Sequence, residues 1–156
     1  MKSIEITYEG LGAGDIKRKD VVCHLMKSVK VRILAYKGAF DGVFSPEELH
    51  KAKVKGTLPK GYSVHHIYPL CSKEGTFTLS NMVVMEDRAH RWLHNAMYSP
   101  SLSKCEAGQR CCVWIPDMDI DKLVKYNDIL PFITSWNDNQ MRLGRKPYKE
   151  RVRIRE

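Results

Sequence analysis

Four of the six histidines in this chain of 156 residues lie between positions 65 and 94, and their spacing limits how that segment can fold. His90 and His94 are four residues apart, so on a helix they would lie on the same face, one turn from each other. His65 and His66 are adjacent, and neighbouring side chains on a strand point to opposite sides. We therefore expect one of the adjacent pair to approach the helical pair while the other faces different surroundings.

The residues around these histidines predict two strands followed by a helix. Residues 62–68 and 81–85 have strand composition and are separated by a polar loop at 71–80, so they can pair antiparallel. Glu86 and Asp87 come next, and acidic side chains favour the first turn of a helix. A divalent metal needs ligands that converge, and a third histidine from the strands would complete a set of three. This part of the chain therefore predicts a metal site.

The motif H-H-I-Y-P-L at residues 65–70, followed by Asn81, His90 and His94, resembles the HNH nuclease motif, also called the ββα-metal or His-Me finger. Its spacing is most similar to that of the colicin-type bacteriocin DNases. These have an adjacent histidine pair, then an asparagine fifteen residues after the second histidine, then H-x-x-x-H on a helix. The resemblance covers residues 56–97, about a quarter of the chain, and implies a ββα-metal finger there.

The resemblance also implies a role for each motif residue. His65, His90 and His94 would bind one divalent metal ion: Zn, Mg, Mn or Ni. His66 would be the general base that deprotonates the attacking water, which a free imidazole with a pKa of about 6.5 can do at neutral pH. Asn81 would hydrogen-bond to backbone across the loop and fix the orientation of His66. The metal would stabilise charge on the scissile phosphate and on the leaving 3′ oxygen.

Two positions depart from the family pattern. Family members often have Gly-Gly in the loop, where this chain has only Gly75, and colicin-type members have a Glu two residues before the first motif histidine, where this chain has Ser63. The phosphate-binding arginine therefore cannot be carried over from the family. Arg88 and Arg91 are candidates because they lie on the same predicted helix as His90, with a solvated helix face as the alternative for both.

The positive charge of the chain is unevenly distributed. The chain has 26 Lys+Arg and 18 Asp+Glu, a net charge of +8. Residues 1–60 and 141–156 each carry an excess of five positive charges, whereas residues 61–100 are balanced. Residues 145–156 are too charged to pack, so we expect this basic tail to extend from the body or to lie on a partner, as a nucleic-acid arm. Its candidate nucleic-acid contacts are Arg145, Lys146, Lys149 and Arg151.

The whole chain predicts one α+β domain over residues 1–156, mostly helical, with a short N-terminal strand and the basic C-terminal tail. Five cysteines without a C-x-x-C pair predict buried thiols rather than metal ligands. Trp92, Trp114 and Trp136 are expected in the core, and His24 and His50 in structural or surface positions. Outside the motif, strands are expected at 3–8 and 110–115, helices at 19–36, 46–54, 117–126 and 128–143, and a loop at 99–108.

These observations predict a metal-dependent endonuclease that hydrolyses DNA with low sequence specificity, and they leave RNA open as a substrate. The alternatives are a sequence- or structure-specific HNH enzyme of homing or phage type, and a non-catalytic nucleic-acid-binding or inhibitor protein with a structural zinc. An inhibitory partner protein is expected from the family alone. No apolar run reaches the roughly 18 residues of a membrane span, and no signal peptide is visible. We expect a cytoplasmic protein when made, with delivery to another cell left open.

Overall fold

The computed structural model describes residues 2–10 and 13–150, with side chains from residue 22 onward in the first helix. It is a small domain of mixed helix and strand, as the α+β prediction expects. No helix in this described part of the chain is long and apolar enough to cross a membrane. In chain order the main elements are β1 Lys2–Thr7, α1 Ala13–Tyr36, α2 Pro46–Lys55, β2 Tyr62–His66, β3 Met82–Glu86, α3 Asp87–Trp92, α4 Ser99–Leu102, β4 Arg110–Ile115 and α5 Tyr126–Arg142.

The start of α2 shows how local sequence determines an element. The Glu48 amide donates to Ser45 Oγ at 3.2 Å, and the Glu48 carboxylate accepts from the Ser45 amide at 2.9 Å. This reciprocal capping box, with Pro46 in the first turn, confirms the predicted helix start. Gly56 ends the helix in the left-handed conformation, and a Cβ there would overlap the backbone of Ser28, so α2 packs closely on α1.

Two antiparallel strand pairs organise the molecule. β1 pairs with β4, with Ile4 opposite Val113, and β2 pairs with β3, with His65 opposite Val83. The β2–β3 pair lies between two hydrophobic clusters. Val83 and Met85 pack into one cluster, with β1, β4, α3 and α5. Met82 and Val84 pack into the other, with α1 and α2. The apolar run of β3 is therefore buried on both faces.

The helix predicted over 117–126 is wrong. In this segment Val124 lies beside β3 as a parallel bridge to Met85. Its amide donates to the Val84 carbonyl at 2.9 Å, and its carbonyl accepts from the Glu86 amide at 3.0 Å. These bonds satisfy the outer edge of β3, which a helix at this position would leave unpaired.

Four smaller expectations also need correction. α1 begins at Ala13 rather than near residue 19, and a one-turn helix, α4, occupies the start of the loop expected at 99–108. Trp114 is 44% exposed on the outer face of β4, so its assignment to the core is wrong, whereas Trp92 is buried and Trp136 packs against the core. Cys105 and Cys111 form a disulfide rather than a pair of buried thiols.

Candidate metal and catalytic site

Three histidines from different elements meet beside the β2–β3 pair. His65 comes from β2, His90 from α3, and His94 from a π-helical segment, Leu93–Tyr98, that continues α3. One ring nitrogen from each lies within 4.8 Å of the others, so the three could hold a metal ion. His65 is fully buried, His90 is half-buried and His94 is exposed, so the cluster has a closed side and an open side. The predicted convergence of these three residues is confirmed.

Tyr98 determines which nitrogen of His65 can bind a metal. The Tyr98 hydroxyl donates its proton to the carbonyl oxygen of Ile67 at 2.7 Å, because a carbonyl can only accept. Its oxygen, 3.1 Å from His65 Nε2, must therefore accept from that nitrogen. In the neutral ring the lone pair then lies on Nδ1, which is buried and has no hydrogen-bond partner in the described structure. A buried, unpartnered imidazole lone pair suits a metal ion, which would satisfy it.

His90 also has a hydrogen-bond partner outside the three-histidine cluster. Ser63 Oγ lies 2.7 Å from His90 Nδ1, and His90 Nε2 lies 2.9 Å from His94 Nε2. For His90 Nε2 to bind a metal, its proton must lie on Nδ1, where Ser63 is placed to accept it. Ser63 is the residue that stands where colicin-type enzymes have Glu, and here it serves as the outer partner of a candidate ligand.

Burial keeps the three imidazoles neutral. Burial lowers the pKa of His65 well below its ordinary value, and the neighbouring His90 and His94 charges lower it further. Burial, and then the charge of His94, lowers the pKa of His90 to about 4. Although His94 is exposed as a residue, partial desolvation of its ring among these neighbours lowers its pKa as well. All three rings therefore favour the unprotonated form that a metal requires.

His66 is separated from the trio, as the strand alternation predicts. It is the residue of β2 next to His65, and its Nε2 lies 3.2 Å from Cys23 Sγ on α1. Cys23 is 43 residues away in sequence and is buried. No local pattern signals this contact, because it depends on how α1 packs against β2. It is a site residue that sequence reasoning missed.

Asn81 cross-links the chain that follows His66. Its Oδ1 accepts from the Tyr68 amide at 2.7 Å, and its Nδ2 donates to the carbonyls of Tyr68 and Thr76 at 3.0 and 2.9 Å. The Asn81 backbone carbonyl accepts from the Ile67 amide at 3.0 Å. The predicted hydrogen bonds across the loop are therefore present, and they connect the start of β3 to the residues just after β2.

The helix arginines have different surroundings. The Arg88 guanidinium lies 3.6 Å from the Tyr126 ring centre and pairs with Glu150 at 3.0 Å, so it already has partners on the protein. Arg91 is exposed. His24 and His50 are also exposed, as expected for residues outside the site.

The tail folds back on the body over residues 145–150, so the prediction that it is too charged to pack is wrong there. Tyr148 packs against the larger hydrophobic cluster and its hydroxyl accepts from Asn95 at 3.2 Å. An aromatic ring within the basic run supplies the apolar surface for this docking. Three of the predicted nucleic-acid contacts, Arg145, Lys146 and Lys149, lie exposed along this docked segment. The fourth, Arg151, lies outside the described residues.

Comparison with known proteins identifies no similar protein. No protein-family model, no curated protein and no solved structure matches this chain. The resemblance to HNH nucleases therefore rests on the motif residues of the sequence alone.

Proposed function

We propose that this protein is a metal-dependent endonuclease that hydrolyses phosphodiester bonds in DNA with low sequence specificity. The observation that supports this most is the pairing of a three-histidine cluster with a fourth histidine one residue away on the same strand. A structural zinc site is usually closed by four protein ligands, whereas three ligands leave a position open for water or substrate. A hydrolytic site also needs a base that the metal does not occupy, and His66 provides one. The order of two antiparallel strands and a helix agrees with a ββα-metal finger.

In the proposed reaction each residue has one role. His65, His90 and His94 hold the metal, which supplies positive charge to the scissile phosphate and the leaving oxygen. His66 accepts the proton of the attacking water. Asn81 holds the backbone beyond His66, and so limits movement of the strand end that carries this base.

The surroundings of the trio support a particular group of metals. Imidazole nitrogen suits Zn and Ni, whereas Mg prefers oxygen ligands and retains its water. The three rings offer nitrogen only, and they are kept neutral by burial. We therefore expect Zn or Ni to bind more tightly than Mg or Mn.

A structural metal site in a non-catalytic nucleic-acid-binding protein is the second candidate. It is supported by the complete burial of His65 and by the contact between His66 and Cys23, which places part of the base against α1. The two candidates differ in activity and not in metal binding.

Plasmid nicking with added Zn, Ni, Mg or Mn tests the proposal. Wild-type protein should convert supercoiled plasmid to open-circle and linear forms, and His65→Ala should lose this activity together with metal binding. His50→Ala removes an exposed histidine outside the cluster and should behave as wild type. Wild-type protein that binds metal and leaves the plasmid intact with all four ions would support the structural candidate instead.

A further inference from the structure

A second surface feature is lined by none of the three cluster histidines and is not used by the proposed reaction. It is a groove of about 1040 Å³ between the outer face of β4 and the C-terminal half of α5, with residues 145–148 along one side. This is at the upper end of the roughly 300–1,000 Å³ of small-molecule sites, so an extended ligand suits it better. Asn95, the residue after His94, is part of its wall.

The groove is strongly basic. Among the described residues that line it, no side chain is acidic. Arg110 pairs with Glu5 outside the groove, and both side chains are exposed, so this pair is weak and can be exchanged for another anion. The cationic side chains of the groove are Lys104, Arg110, Arg142, Arg145 and Lys146.

The groove is also aromatic. Trp114 stands on one wall with 44% of its surface exposed, so part of its indole is open to a ligand. Trp136 stands on α5 and has Phe132 stacked beside it, with the ring planes 15° apart. Proteins that bind single strands stack unpaired bases on aromatic rings and hold the phosphates with nearby cations. The two indoles and five cations of this groove offer both kinds of contact.

We propose that this groove binds a single strand of nucleic acid, with bases stacked on Trp114 and phosphates held by Arg142, Arg145 and Lys146. A duplex is a poor fit, because its bases are stacked inside and cannot reach the indole. The choice of nucleic acid over an acidic protein rests on the proposed nuclease function, and on the indoles that line the groove together with its cations.

Binding of a fluorescent oligo-dT strand, followed by anisotropy in EDTA, tests the proposal on the full-length protein. EDTA keeps the nuclease inactive, so binding and cleavage are measured separately. Trp114→Ala should weaken binding about ten-fold or more, as expected for loss of a stacking partner. Arg142→Ala with Arg145→Ala should weaken it and reduce the slope of log affinity against log salt by about 1.4, or about 0.7 for each phosphate contact on a single strand.

Matched controls are available elsewhere on the surface. Tyr36→Ala removes an aromatic ring that is 72% exposed on α1, and Lys55→Ala removes an exposed cation at the end of α2. Both should bind oligo-dT as wild type does. Quenching of tryptophan fluorescence by the oligonucleotide should be smaller in Trp114→Phe, which keeps the wall of the groove.

Three results would overturn the proposal. These are unchanged affinity in Trp114→Ala, equally tight binding of a hairpin duplex, and displacement of oligo-dT by poly-glutamate at equal charge, which would indicate a site for acidic protein. Each is separable from the nuclease proposal, because plasmid nicking by the same samples is scored independently. Oligonucleotide binding without nicking would refute the nuclease alone, and nicking without groove-dependent binding would refute the groove alone.

Discussion

Replacing Tyr98 with Phe removes one oxygen from the most buried part of the metal cluster. The hydroxyl donates to the Ile67 carbonyl at 2.7 Å and accepts from His65 Nε2 at 3.1 Å. Both partners are buried, so neither reaches water when the oxygen is lost. The Phe ring retains the packing of Tyr98, and the change is therefore confined to these two hydrogen bonds.

The size of the effect follows from the two groups left without partners. An unsatisfied buried donor or acceptor costs about 1–3 kcal/mol, so Tyr98→Phe should lower the free energy of unfolding by at least about 2 kcal/mol. His65 also loses the contact that keeps its proton on Nε2 and its lone pair on Nδ1. Loss of such an outer partner typically weakens metal binding by about 10- to 100-fold.

Two measurements check this expectation. Urea unfolding in EDTA gives the stability of the metal-free protein, and competition with a chromophoric chelator gives zinc affinity. Tyr148→Phe is the matched control, because its hydroxyl accepts one exposed hydrogen bond from Asn95. That variant should change stability by less than about 1 kcal/mol and leave zinc affinity unchanged. A Tyr98→Phe protein that loses stability but binds zinc as wild type does would refute the assignment of the His65 tautomer.

Three further outcomes are expected. Asn81→Ala removes three side-chain hydrogen bonds to backbone and should lower stability by about 2–4 kcal/mol in urea unfolding. Ser63→Ala removes the partner of His90 Nδ1 and should weaken zinc binding by about 10-fold in chelator competition. In EDTA, stability should fall as the pH decreases from about 6.5 to 4, by on the order of 3 kcal/mol for His90 alone.

The sign of the pH effect follows from proton binding. The pKa of His90 in the folded protein is lowered to about 4, so the unfolded chain takes up the proton first as the pH falls. Protonation therefore favours unfolding over this range. A flat stability curve between pH 6.5 and 4 would show that the cluster is not kept neutral by burial. If Ser63→Ala binds zinc as tightly as wild type, Ser63 is not a supporting partner of His90. If Asn81→Ala unfolds at the same urea concentration as wild type, the three Asn81 hydrogen bonds do not stabilise the fold.

The parts of the fold that the sequence predicts well are those determined by neighbouring residues. The capping box of Ser45 and Glu48 sets the start of α2 regardless of the rest of the chain. The spacing of His90 and His94 places them on one helix face, and strand alternation separates His65 from His66. Each of these depends on contacts within a few residues.

The parts that could not be predicted depend on distant contacts. Val124 is extended because it pairs with β3, about forty residues earlier in the chain, and its own neighbourhood suggested a helix. Tyr148 docks the tail because the larger cluster offers it a surface. The contact of Cys23 with His66, and the exposure of Trp114, likewise follow from how separate elements pack. Helix and strand periodicity carries no information about such pairings.

The central claim is that His66 acts as the base beside a metal held by three other histidines. The rate of plasmid nicking by His66→Ala and wild type, compared at equal and saturating zinc or nickel occupancy, tests it most directly. The account predicts that the variant binds the metal as wild type does and nicks at least about 100-fold more slowly, the usual contribution of a general base. Equal nicking rates at equal occupancy would contradict it.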